Sequence, residues 1–204
     1  NVGGDFYGVF ARSPDEICFV IGDVSGKGIS AALLMAQTLS AMQFVLAAAT
    51  GPSTALSHLN ETLYANIIRG MFVTTIIARM TPASRSVEIA SAGHCLPVLV
   101  KADGSASKVE TPAALPLGIL PKVTYHHGTL VLEPGDRIIV YTDGLSESRK
   151  EGGDSQFDEC LLHHASGPAA DTDALLKRIV NAELRHRGSG RQLDDLTILV
   201  GGFE

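Results

Sequence analysis

Cysteine is scarce in this chain. The three present, Cys18, Cys95 and Cys160, are far apart, odd in number and form no C-x-x-C pair. That argues against a disulfide framework or a structural zinc site, and favours a reducing cytoplasm. Positive charge is short as well: 16 Lys and Arg stand against 22 Asp and Glu, a formal net charge of −6. The basic footprint of a general nucleic-acid or anionic-membrane binder is therefore lacking. An anionic substrate is not excluded, because bound cations reverse a local field. The first residues have neither the basic nor the apolar stretch of a signal peptide, and no internal repeat is visible.

What is present is a globular composition, 45% hydrophobic and 19% charged over 204 residues. That excludes a disordered chain and sets the expectation of one domain over residues 1–204. The chain opens directly on a strand-like motif, as a domain cut from a longer protein would. Residues 28–60 carry no Asp, Glu, Lys or Arg. The apolar part, Ile29 to Ala49, has roughly the 20-residue length of a membrane span. Polar residues punctuate it (Ser30, Gln37, Thr38, Ser40, Gln43), and no basic or aromatic flanks frame it. It reads as a buried helix, with no membrane contact by this domain.

The pattern predicts strands at 5–11 and 16–23, joined by a Ser13-Pro14-Asp15 turn. A long Ala/Leu/Met-rich helix follows over 28–49, then a second helix N-capped by Ser53 and running to about Ile68. Further strands are expected at 71–80, 86–91, 96–101, 128–132, 137–142 and 196–200. Helices are expected near 157–165 and 172–187, and residues 102–126 read as loop. Runs of strands with segregated helices predict an α+β fold. The expected architecture is an α/β/β/α four-layer sandwich of two mainly antiparallel sheets flanked by helix pairs.

Four acidic positions share one local pattern. Asp5 follows Gly3-Gly4 at a strand start. Asp23 ends an apolar strand and precedes Val24-Ser25-Gly26-Lys27-Gly28. Asp143 ends another strand and precedes Gly144, and Asp194-Asp195 precede the last one. Any one of these is ordinarily a turn former or helix cap. Four carboxylates gathered at strand ends would repel one another and need a cation. Hard oxygen ligands suit Mg²⁺ or Mn²⁺. Spacing alone does not establish that they converge. Gly22–Gly28 is not a phosphate loop, since Ile21 and Gly28 occupy the positions that need Gly and Ser/Thr.

Taken in order, Gly3-Gly4-Asp5-Phe6-Tyr7, Gly22-Asp23-Val24-Ser25-Gly26-Lys27-Gly28 with Ala31-Ala32-Leu33, Ser91-Ala92-Gly93-His94, Pro116-Leu117-Gly118, Tyr141-Thr142-Asp143-Gly144-Leu145 and Asp194-Asp195-Leu196-Thr197 closely resemble the stage II sporulation protein E type of metal-dependent protein phosphatase. That group is a bacterial branch of the PPM (type-2C) superfamily, and the resemblance covers essentially the whole chain. It implies a site for two Mn²⁺ or Mg²⁺ ions. By motif, Asp23 would bridge both, the Val24 backbone carbonyl would face one, and Asp143 and Asp194 would complete the other, with Asp195 as the alternative to Asp194. Asp5 would hold a bound water or bind directly. The resemblance implies hydrolysis of phosphoserine or phosphothreonine on a protein, typically an anti-sigma factor antagonist in a partner-switching stress pathway. It also implies an upstream sensor or response-regulator domain in a longer chain.

The chemistry fits these residue types. Phosphate monoester hydrolysis asks for up to roughly 10²¹-fold acceleration. Two ions about 3.5–4 Å apart would generate a hydroxide and screen the phosphate. No phosphoenzyme is then needed, in keeping with the absence of a nucleophilic Cys in a phosphate-binding loop. The chain departs from the family at three places. Ser25 stands where many type-2C enzymes carry a proposed acid histidine, leaving His94 as the candidate proton source or else a backbone-bonded turn residue. Gly8 stands where another Asp is common. Arg12, Arg69 and Arg79 are the candidates for a phosphate clamp, or are ordinary salt-bridged side chains. His126 and His127 read as surface, and Lys27 either lends charge near the phosphate or stays in water.

A small shift of residues 28–68 would move the Asp23–Gly28 turn, so this helix pair is the expected regulatory lever. A homodimer through the same helices stays open. Two other function classes compete: a pseudophosphatase adaptor that binds a regulatory partner, and a different metal hydrolase.

Overall fold

The computed structural model describes residues 3–203. The chain separates into two compact units, one running through His94 and adding Thr111–Val131, the other formed by Cys95–Glu110 and the residues from Leu132 onward. Each has its own sheet and its own apolar core.

The first unit is built on β1 (Phe6–Ser13), β2 (Glu16–Val24), β3 (Val73–Thr81), β4 (Ser86–Ala92) and β7 (His127–Val131). They form one antiparallel sheet in the order β1-β2-β3-β4-β7. The β1–β2 turn is the expected one, and Ser13 Oγ accepts from the Asp15 amide at 3.1 Å. Two helices, α1 (Ile29–Ala48) and α2 (Pro52–Tyr64), pack against this sheet. Leu56, Leu59 and Leu63 recur at helical spacing and are fully buried with Val20, Val73 and Ile77. Each such side chain contributes about 1.5–3 kcal/mol on leaving water.

Helix α1 is buried along one stripe: Ala31, Leu34, Thr38, Met42, Val45 and Leu46. The expectation of a buried helix holds for that stripe only, because Ile29, Leu33 and Phe44 are exposed. By length and composition alone α1 could span a membrane.

Helix α2 corrects the sequence in two ways. It starts at Pro52 with Gly51 as N-cap, and Ser53 lies inside it. Proline is favoured at the first helical position because its missing N–H is unpaired there anyway. The capping hydroxyl belongs to Thr54, whose Oγ1 accepts from the Gly51 amide at 3.1 Å and donates to the Gly51 carbonyl at 2.8 Å. The helix also stops at Tyr64 rather than near Ile68. The following turn is closed by the amides of Asn66 and Ile67, both donating to the Leu63 carbonyl.

The second unit holds β5 (Val98–Val100), β6 (Ala106–Lys108), β8 (Arg137–Tyr141) and β9 (Ile198–Gly202), antiparallel in the order β6-β5-β8-β9. Its helices are the single turn α3 (Asp143–Ser146), α4 (Asp158–Ala165) and α5 (Thr172–Arg187). Two of these elements, β6 and α3, fall where no regular structure was expected. The first is a three-residue strand inside the predicted loop. It is held by pairing with β5 and by Lys108, whose Nζ reaches both Asp158 carboxylate oxygens at 2.8 Å. Asp171 caps α5 by accepting from the Ala174 amide at 2.7 Å, and Arg185, His186 and Arg187 complement its C-terminal dipole. Two antiparallel sheets with segregated helices make the chain α+β, as the sequence predicts.

Candidate functional site

The acidic positions fall into two groups, one in each unit. In the first unit, Asp23 sits at the end of β2, opposite Thr74 of β3. The Val24 amide donates to the Gly4 carbonyl at 3.3 Å, which brings Gly4-Asp5 alongside the end of β2. A Cβ on Gly4 would stand 2.7 Å from Asp23 Oδ1 and 2.6 Å from the Val24 carbonyl oxygen. Both oxygens therefore pack directly against Gly4, an approach that only glycine permits.

Two neighbours brace this corner. The Phe72 amide donates to Ser25 Oγ at 2.8 Å, and the Ser25 amide donates to the Phe72 carbonyl at 2.9 Å. The Ser25 hydroxyl thus serves to hold the turn after Asp23. His94 is 9% exposed. Its Nδ1 lies 3.0 Å from Thr74 Oγ1, and its amide donates to Ser91 Oγ at 3.2 Å. Because Thr74 is the cross-strand partner of Asp23, His94 is linked to the acidic corner through one side chain. Nothing in the local sequence marked Thr74, since only the β2–β3 register places it there.

In the second unit, Asp143 opens α3 and Asp194-Asp195 lead into β9. The two segments are locked together. The Thr142 amide donates to the Thr197 carbonyl at 3.1 Å, and the Thr197 amide donates to Thr142 Oγ1 at 3.0 Å. A Cβ on Gly144 would come within 1.8 Å of the Asp195 carbonyl oxygen. Only glycine lets the two chains pass this closely. Asp194 Oδ1 accepts from the Asp195 amide at 3.0 Å, and Gln192 Nε2 donates to the Asp194 carbonyl at 2.9 Å. Asp194 lines a cleft with Gly144, while Asp195 is the more covered of the pair.

Among the described residues, no group of three or more His, Cys, Asp or Glu could by itself hold a metal ion. The candidate oxygens come instead as Asp23 with the Val24 carbonyl in one unit, and as Asp143 and Asp194 on two tied segments in the other. Their chemistry, carboxylate and carbonyl oxygen without sulfur, suits Mg²⁺ or Mn²⁺.

Cys95 lies near Asp143. Burial pushes its thiol up to about 11; the Asp143 charge adds to the rise, and the Ser146 hydroxyl, 3.9 Å from its sulfur, opposes it. It stays protonated at neutral pH and is no nucleophile. Of the candidate clamp arginines, Arg79 is committed to Glu88, with Nε donating at 3.0 Å, and to the Thr50 carbonyl. Arg12 pairs with Glu16 at 3.3 Å and donates to the Ala49 carbonyl. Arg69 is exposed beside Tyr64, Ile67 and Gly70. The arginines that do line a cleft beside an acidic pair are Arg149, Arg187 and Arg191. Sequence reading passed over these three because their separation along the chain carries no motif.

The family model of stage II sporulation protein E (SpoIIE) matches residues 13–203, and the chain belongs to that family. Phosphoserine phosphatase RsbU of Bacillus subtilis is 32% identical over 200 residues, which is 98% of this chain and 59% of that protein. Phosphoserine phosphatase RsbP of the same organism is 22% identical, over 96% of this chain and 47% of its own length. The crystal structure of the RsbU and RsbW domains of a Mycobacterium tuberculosis protein superposes with a TM-score of 0.84 at 29% identity, covering 98% of this chain and 55% of that one. The PP2C phosphatase domain of SpoIIE from Bacillus subtilis shares the fold, with a TM-score of 0.83 at 21% identity, over 98% of this chain and 58% of that one. The chain spans about half the length of the curated relatives it matches.

Proposed function

We propose that this chain is a metal-dependent phosphatase domain that hydrolyses phosphoserine or phosphothreonine on a regulatory protein of the anti-sigma factor antagonist type. The observation that carries this reading is the close packing of Gly4-Asp5 against Asp23 Oδ1 and the Val24 carbonyl, which gathers these oxygens at one corner. The bonds that tie the Thr142 and Thr197 segments together, next to Asp143 and close to Asp194, support it. Asp23 and the Val24 carbonyl, with Asp143 and Asp194 and with Asp195 as the alternative to Asp194, are the groups that would hold two Mn²⁺ or Mg²⁺ ions. Such ions supply an activated water at neutral pH and screen the phosphate charge.

The chain's own residues then do the following. The Phe72–Ser25 pair keeps the turn after Asp23 in place. Asp5, next to Gly4, orients water at the Asp23 corner. His94 is given a positioning role, because the residue is 9% exposed and its Nδ1 is bonded to Thr74, the cross-strand partner of Asp23. The three cysteines are free thiols, which supports a cytoplasmic setting. The exposed Ile29, Leu33 and Phe44 of α1 are where an upstream regulatory domain would act on the helix pair. The greater length of the relatives supports such a domain.

The test is turnover of p-nitrophenyl phosphate and of a phosphoserine protein with Mn²⁺, with Mg²⁺ and with chelator, for the domain and for Asp23→Asn. Activity should need a divalent ion, and the variant should lose at least about 10²-fold in kcat. Full activity towards the phosphoprotein under complete chelation overturns the reading. Binding without hydrolysis in every metal would instead support an adaptor.

A further inference from the structure

The loop after α5 and the turn α3 enclose a cleft of about 90 Å³, lined by Gly144, Glu147, Ser148, Arg149, Arg187, Arg191, Gln192, Leu193 and Asp194. On this measure one water needs about 10–15 Å³, so the cleft has room for a carboxylate. Three of its nine lining residues are arginines, in a chain whose net charge is −6.

The three arginines are not equivalent. Arg187 is fixed. Its Nε donates to Glu183 Oε1 at 2.7 Å, and one terminal nitrogen donates to the Gly190 carbonyl at 3.1 Å. Glu183 is itself only 3% exposed and accepts from Ser148 Oγ at 2.8 Å, so a buried network sets the guanidinium in the cleft wall. Two of its five N–H groups serve this anchoring. Arg191 is exposed and makes no hydrogen bond or ion pair among the described residues. Arg149 has a 3.8 Å contact with a fully exposed Asp154, worth little in water.

Three guanidinium groups facing one cleft repel one another, and an anion between them relieves that repulsion. Glu183 neutralises Arg187, and Glu147 and Asp194 offset the formal charge of the other two, which leaves Arg191 as the guanidinium in this wall with no ion pair among the described residues. Planar guanidinium groups match a carboxylate with two parallel hydrogen bonds. Resting on the phosphatase reading above, we propose that this cleft is a specificity site that receives an acidic side chain of the phosphoprotein, near its phosphoserine. The cleft wall includes Asp194 itself and Gly144, the residue after Asp143. A net acidic domain otherwise repels an acidic substrate, and the exposed Arg191 guanidinium beside the fixed Arg187 gives such a substrate one place to dock.

The test compares three phosphoserine peptides differing at one flanking position, Glu, Ala or Lys, with Mn²⁺. The unsubstituted domain should favour the Glu peptide over the Ala peptide in kcat/KM by about tenfold. Arg191→Ala should bring that preference to within about twofold, and Arg191→Glu should turn it toward the Lys peptide. Anisotropy binding of the same labelled peptides in chelator should follow the same order, and this readout does not depend on turnover. An undiminished Glu preference in Arg191→Ala overturns the proposal. So does equal loss on all three peptides, which would mean that the cleft grips the scissile phosphate. No turnover of any peptide, with binding preferences intact, would remove the phosphatase reading while leaving the cleft's specificity standing.

Discussion

Adding one methyl group at Gly144 tests whether the Asp143 and Asp194 segments work as a unit. A Cβ there would stand 1.8 Å from the Asp195 carbonyl oxygen, 2.8 Å from its carbonyl carbon and 3.4 Å from Leu196 Cα. All three are backbone atoms, so no rotamer change relieves the clash. The chains must part by about 1.2 Å merely to reach the 3.0 Å below which real Cβ contacts essentially never fall. The Thr142–Thr197 bonds resist that parting. Overpacking of this kind costs about 1–3 kcal/mol, a Tm loss of roughly 2–4 °C for each kcal/mol in a chain of this size. The larger effect should be on turnover, since a misplacement of about 1 Å can cost 10²-fold. Gly144→Ala should therefore stay folded by circular dichroism and melt somewhat earlier. With Mn²⁺ it should lose about 10²-fold in kcat on p-nitrophenyl phosphate. Gly153→Ala is the control, because a Cβ there meets nothing within 4 Å. A folded Gly144→Ala protein with kcat within twofold of the unsubstituted domain would refute the claim that this close approach serves the site.

Asn60 is fully buried in α2; its Nδ2 donates to the Leu120 carbonyl at 3.0 Å, and its Oδ1 accepts from the Gly118 amide at 2.9 Å. Asn60→Ala leaves two backbone groups unpaired and should cost about 1–3 kcal/mol by urea titration, with a looser 117–120 loop in hydrogen exchange. Burial pushes the thiols of Cys18 and Cys95 up to about 11 from 9.0. Above pH 9 the unfolded state ionises first and binds fewer protons, so stability should fall as pH rises from 9 to 11. The slope is at most about 1.4 kcal/mol per pH unit for each thiol. Urea midpoints at pH 8 and pH 10 check this, and Cys18→Ala should flatten the decline.

The sequence alone settled what depends on local pattern. Alternation and β-branched runs located most strands, and the Ala/Leu-rich stretch located α1. The turn around Ser13-Pro14-Asp15 followed from residues that bond their own backbone. The ordered motifs were specific enough to name the family. Tertiary structure decided what depends on distant partners. A three-residue strand such as β6 has no stable pattern of its own and exists through its pairing with β5. The cap of α2 went to Gly51 and Thr54 because Pro52 fits the first turn better than Ser53 caps it. Thr74 became a neighbour of both Asp23 and His94 only through β-sheet register, and a one-residue slip would have turned it to the other face. Arg149, Arg187 and Arg191 share a cleft because the α5 C-terminus and α3 meet at the Glu183–Ser148 bond. Short-range preferences are written residue by residue along the chain. Contacts between distant segments are chosen by how whole elements bury their apolar faces, and no single stretch of sequence records that choice.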